Sequence, residues 1–161
     1  MYTIDNVYTL CYNTKQRKVN KLLALNSTQA RNEWSAVVDI AIREKPQFIK
    51  RTRDRMVLAN IDLIAELLSA YTFSASVFTE DDGTVTMSLN EIDLVENGSD
   101  ESETLHKLAA SILDYAEDYY SDFSYWSRGD RNSHKPYVFK ALIAKDITEI
   151  GESILCHRGE I

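Results

Sequence analysis

Apolar and polar positions follow two different periods along this chain, and each change of period marks an element. From Ala30 through Trp34, Val37, Val38 and Ala41 to Ile42, apolar residues return at intervals close to three and four. That spacing predicts an amphipathic helix, with Asn26 or Ser27 able to cap its start and Pro46 ending it. Residues 47–50 and 56–59 then read as two short strands around the turn Lys50-Arg51-Thr52-Arg53-Asp54-Arg55. Asn60 or Ile61-Asp62 opens a second helix, with Leu63, Ile64, Leu67, Leu68 and Tyr71 on its expected buried side. Upstream, residues 7–12 and 19–25 are apolar runs on either side of a polar, basic stretch. Their Val, Tyr and Thr content favours a hairpin, although 19–25 fits a helix as well.

Beyond Thr72 the period changes to two. Phe73, Ala75 and Val77 alternate with Ser74, Ser76 and Phe78, and Asp81-Asp82-Gly83 makes a hairpin turn into a return strand at 84–89. Residues 94–98 read as a third strand. Ser99 or Asp100 then caps a long helix over about 101–122, and Asp100 with Glu103 has capping-box spacing. Leu105, Leu108, Ala109, Ile112, Tyr115, Ala116 and Tyr119 fall on one face of it. Residues 124–135 read as a polar connector, 137–144 as a buried helix and 147–155 as a last short helix.

At 161 residues, with 44% hydrophobic content, the chain suits one good core or two small ones. No run of eighteen apolar residues exists, and the start lacks the regions of a signal peptide, so a cytoplasmic protein without a membrane partner is expected. Cys11 and Cys156 have no metal-ligand spacing and are expected to be reduced thiols. The net charge of −7 conceals an asymmetry. Residues 1–60 carry eleven Lys or Arg against five acids, whereas residues 61–161 carry seven against twenty. The first part could therefore lie on a polyanion while the second attracts a basic partner; chance fluctuation is the competing explanation.

Catalytic constellations are scarce. His106, His134 and His157 fall in a helix, a linker and a tail, and the sequence has no phosphate loop, GxSxG or Cys/His ligand pair. The acids around Glu117 and Asp118 read as a solvated helix face rather than a metal site, so neither an enzyme nor a cofactor is expected. The cationic turn points instead to nucleic acid, because Lys and Arg release condensed counterions from phosphates. Arg31 is expected in the first turn of its helix, where backbone N–H groups favour phosphate. A merely solvated basic turn is the plain alternative, and Lys15, Arg17 and Lys18 offer a second basic site.

Three stretches carry a family resemblance: Ser27-Thr28-Gln29-Ala30-Arg31-Asn32-Glu33-Trp34, Phe48-Ile49-Lys50-Arg51, and Met56-Val57-Leu58-Ala59-Asn60-Ile61-Asp62. Their order and spacing resemble the Phd/YefM antitoxins. The turn lacks the usual Gly, and Trp34 stands where Leu is common. The resemblance implies DNA contacts by Arg31, Arg51 and Arg53, and Lys50 and Arg55 join them as the other candidate DNA-binding cations of the turn. The pattern from Thr72 to Phe123 resembles the HicB-like antitoxin domain, which masks a toxin and needs no catalytic residue.

These readings give an α+β protein: a Phd/YefM-like dimerisation and DNA-binding domain (1–71), a HicB-like strand-strand-strand-helix domain (72–123), and a linker with a helical tail (124–161). The function they imply is a non-catalytic antitoxin that forms a homodimer, binds operator DNA and neutralises a small basic toxin of RelE type. Asp114, Glu117, Asp118 and Asp122 would face that toxin. The rivals are a DNA-binding regulator with a ligand-sensing second domain, a metal-dependent hydrolase or nuclease, and a structural module that binds no DNA.

Overall fold

The computed structural model describes residues 24–158, and the chain divides into two compact units between Asn60 and Ile61. The hairpin expected over residues 7–25 lies almost wholly outside the described residues, as do Lys15, Arg17 and Lys18.

The first unit begins with β1 (Ala24–Asn26), α1 (Ser27–Asn32) and α2 (Trp34–Arg43), followed by β2 (Gln47–Arg51) and β3 (Asp54–Leu58). Its sheet runs β1-β2-β3, with β1 parallel and β3 antiparallel to β2. Asn26 caps α1, its side chain accepting a hydrogen bond from the Gln29 N–H at 2.8 Å. The single helix expected here is two, because the backbone leaves helical geometry at Glu33 although no Pro or Gly stands there. Ala30, Val37 and Ile49 pack with Leu25 and Leu58 into a small core on one side of the sheet. The β2–β3 turn closes over Thr52 and Arg53, since Arg51 pairs with Asp54. In place of the missing Gly, Thr52 takes a φ of 52°, a left-handed conformation that costs a β-branched residue about 1–2 kcal/mol.

The second unit comprises α3 (Ile61–Leu67), β4 (Phe73–Thr79), β5 (Val85–Leu89), β6 (Val95–Gly98), α4 (Glu101–Ser121), α5 (Phe123–Trp126), a 3-10 turn (Gly129–His134), α6 (Lys135–Ile143), α7 (Ile147–Glu152) and β7 (Ile154–Arg158). Its sheet order is β6-β5-β4-β7. Phe73, Ala75 and Val77 on β4 and Val85, Met87 and Leu89 on β5 point one way, into a core shared with α4, α6 and α7. Asp82 shapes the β4–β5 turn by accepting from the Thr84 N–H at 3.0 Å and hydroxyl at 2.7 Å, with Gly83 at φ +88°. The α4 cap is the expected one: Asp100 accepts from the Glu103 N–H at 2.9 Å. Glu103 reaches back to the Ser99 N–H, one residue before the cap.

Three expectations need correction. The segment 147–155 is not all helix: its end becomes β7, which pairs in parallel with β4, Phe73 opposite Ile154. The expected helical tail is therefore partly an edge strand of the main sheet. The connector 124–135 holds most of α5 and a 3-10 turn, and it packs Trp126 onto the core. Finally, α3 buries none of its residues; Leu67 and Tyr71, expected inside, are exposed.

Candidate nucleic-acid and partner surfaces

Side chains alternate across a strand, and residues directly opposite in an antiparallel pair share a face. The register Ile49↔Met56 puts Ile49 and Met56 on the helix-covered face of the first sheet, together with Arg51 and Asp54. Phe48↔Val57 and Lys50↔Arg55 then occupy the other face, and all four are exposed. Lys50 and Arg55 are like charges directly opposite each other, an arrangement that destabilises a strand pair. Among the described residues, no ion pair involves either of them, nor Arg51, Arg53 or Arg31. The turn cations are thus brought to one hairpin end but divided: Lys50 and Arg55 on the open face, Arg51 on the other, Arg53 in the loop.

Arg31 departs from expectation. With Asn26 as the cap, Arg31 is the fifth residue of α1, past the free N–H groups of its start, and the break at Glu33 makes that the last turn. Any phosphate contact it makes is by its guanidinium alone.

On α4, Asp114, Glu117 and Asp118 are exposed, as the helical period predicts. Asp122 is different. It ends α4 and caps α5, accepting from the Tyr125 N–H at 3.3 Å and the Ser124 hydroxyl at 3.2 Å. His106 is exposed, matching its expected solvent side. The carboxyl of Glu103 is held down to about 2 by the Lys107 ammonium and the Ser99 donors. Among the described residues, no three His, Cys, Asp or Glu side chains gather to hold a metal. No described helix is long and apolar enough to cross a membrane.

The period of α4 also left a buried hydroxyl unnoticed. Thr104 is fully buried, its Oγ1 2.7 Å from the Asp100 carbonyl oxygen and 3.1 Å from that of Val85. An aromatic lattice was equally hidden in the supposed connector. Trp126 stacks edge-on to Tyr115 at 5.6 Å and carries the Arg131 guanidinium at 4.5 Å. Tyr119 donates to the Arg131 carbonyl at 2.9 Å, and the Tyr115 hydroxyl lies 2.7 Å from His134 Nδ1. Burial lowers the His134 pKa; Asp93 opposes that shift and Arg131 adds to it. The density of Tyr and Trp among the polar letters of 115–126 was the available signal.

These two surfaces, one cationic and one acidic, can be set beside known proteins. The profile of the PHD-like family, antitoxins of RelE/RelB toxin-antitoxin systems, matches residues 22–156. The chain belongs to this antitoxin family. A crystal structure from Syntrophomonas wolfei subsp. wolfei, described as the antitoxin part of a proposed toxin/antitoxin system, is similar at TM-score 0.80 and 32% identity. The match covers 84% of this chain and 99% of that one. No curated protein matches. An antitoxin of such a system implies a toxin as partner.

Proposed function

We propose that this antitoxin neutralises a small ribonuclease toxin by direct binding and represses its own operon as a homodimer, acting in the cytoplasm. In this reading the first unit works as a Phd/YefM-like DNA-binding module and residues 72–123 as a HicB-like toxin mask. The observation that carries the DNA half is Lys50 opposite Arg55, beside Arg51 and Arg53, with none of the four in an ion pair among the described residues. A strand pair that keeps like charges face to face gives up stability that a polyanion restores. A two-fold dimer would set two such hairpins on the half-sites of a palindromic operator. For the toxin half, the support is the exposed acidic face of α4 at Asp114, Glu117 and Asp118, which suits a basic protein that acts on RNA. Asp122 joins that face only in its spare acceptor capacity, since capping α5 already occupies one carboxylate oxygen.

A mobility-shift titration on the chain's own promoter tests the DNA half. Arg51→Ala with Arg53→Ala should weaken binding and flatten its salt dependence by roughly one to two logarithmic units per protomer. Binding that is unaltered in the double variant would move the site elsewhere, and no shift by the wild-type protein would refute repression.

A further inference from the structure

The outer end of α4 carries more than charge. Tyr120 is 59% exposed, and its ring meets that of Phe139 on α6 edge-on at 6.5 Å. Phe139 in turn rests against Phe123 at 6.0 Å, and Phe123 against the fully buried Tyr119 at 5.8 Å. The outer pair is therefore an aromatic shelf held from below by the core, a form in which apolar surface is offered with little conformational freedom left to lose.

On the α4 side the border of the shelf is acidic. Glu117 lies one helical turn before Tyr120, with Asp114 a further turn back, while Asp118, two residues before Tyr120 and four beyond Asp114, lies round the helix from the shelf. Such like-charge neighbours destabilise a helix, and acids near its C-terminal end oppose its dipole, which no base in the last turn offsets. Among the described residues, these three acids take part in no ion pair. The nearby cations of α6 are engaged elsewhere. Lys135 donates to the Asn132 side chain at 2.6 Å and sits over the Phe123 ring, while Lys140 donates to the Tyr71 carbonyl.

We infer that Tyr120 and Phe139 are the apolar anchor of the toxin-docking surface, receiving a cationic amphipathic segment of the toxin whose Lys or Arg side chains reach Asp114 and Glu117. This rests on the toxin-binding reading above and adds what the acids alone do not supply. Aliphatic stems of Lys or Arg lie on the rings, their charged heads reach the carboxylates, and an aromatic face itself attracts a cation. The acids set the encounter rate and the rings set the lifetime.

The experiment measures binding kinetics of the full-length chain to its purified cognate toxin. Tyr120→Ala with Phe139→Ala should bind about thirtyfold more weakly, mainly through faster dissociation, with the salt dependence of association retained. Asp114→Asn with Glu117→Gln should slow association and flatten that salt dependence. Tyr120→Lys, altering only an exposed ring, covers the case in which the double aromatic variant fails to fold, and it should weaken binding by repulsion. Wild-type affinity in both aromatic variants would overturn the anchor and leave toxin binding intact. No binding by the wild-type chain would overturn the toxin reading itself, and with it the anchor. Loss of self-association in the aromatic variants without toxin would assign the shelf to a second copy and overturn the proposal.

Discussion

Both units lay helices on one side of a sheet, yet they bury that side to very different degrees. In the second unit sixteen buried residues, from Phe73 to Ile154, form one continuous core. In the first, the described cluster is Ala30, Val37 and Ile49, with Leu25 and Leu58 partly buried beside them. Trp34, Ile42, Phe48, Met56 and Val57 remain more than half exposed in that unit. Three strands with so small a core are marginal, and exposed apolar groups of that size mark an interaction surface. The contrast lies in the core and not in exposed apolar residues, which the second unit also has at Ile61, Leu67, Val95, Tyr120, Tyr125 and Leu155; the second unit has a large core of its own, while the first, as proposed above, works as a dimer. Charge follows the same division, with the basic excess in residues 1–60 and the acidic excess in 61–161.

The two tryptophans allow the comparison to be broken, because Trp34 lies in the first unit and Trp126 in the second. Phe73→Ala empties a fully buried site and should cost about 3–5 kcal/mol, read as an early urea transition of Trp126. Ile49→Ala should cost about 2 kcal/mol, with a Trp34 transition that shifts with protein concentration. A concentration-independent Trp34 transition, or an equal loss in both variants, would contradict the contrast.

Gly98→Ala comes next in size. An added Cβ would stand 2.6 Å from Thr104 Oγ1, inside a buried and β-branched neighbour that has little room to move. The expected cost is about 1–3 kcal/mol, seen by Trp126 and not by Trp34.

The smallest effect is one of pH. Burial lowers the folded pKa of His134, so below about 6.5 the unfolded chain binds more protons than the folded one. Stability of the second unit should then fall as pH drops from about 6.5 toward the folded value, and His134→Phe should flatten that slope. An unchanged slope in the variant, followed by Trp126 between pH 7 and 5, would remove His134 from the balance.

Local periods made much of this fold legible in the sequence. The β4 alternation, the Asp-Asp-Gly turn, the Asp100 cap and the buried face of α4 all depend on neighbours within a few residues, and the structure has each of them. What escaped depends on distant partners. Ile154-Leu155-Cys156-His157 has no period of its own that separates strand from helix; β4, far earlier in the chain, makes it a strand. Arg31 falls outside the first turn because the cap is Asn26, and in the last because the backbone turns at Glu33, where no helix-breaking residue announces it. For the candidate surfaces, the sequence indicated which residues are charged and exposed. It did not indicate that Lys50 faces Arg55 while Arg51 faces away, nor that Asp122 is occupied as a cap. Both follow from register and capping geometry.

The central claim is that the two units divide the work, and growth rescue by the full-length chain tests it most directly. Cells expressing the cognate toxin should be rescued as well by Lys50→Ala, Arg51→Ala, Arg53→Ala and Arg55→Ala combined as by the wild-type chain, because none of these cations belongs to the proposed toxin-facing surface. Failure of that variant while the wild-type chain rescues would contradict the account, as would failure of the wild-type chain itself.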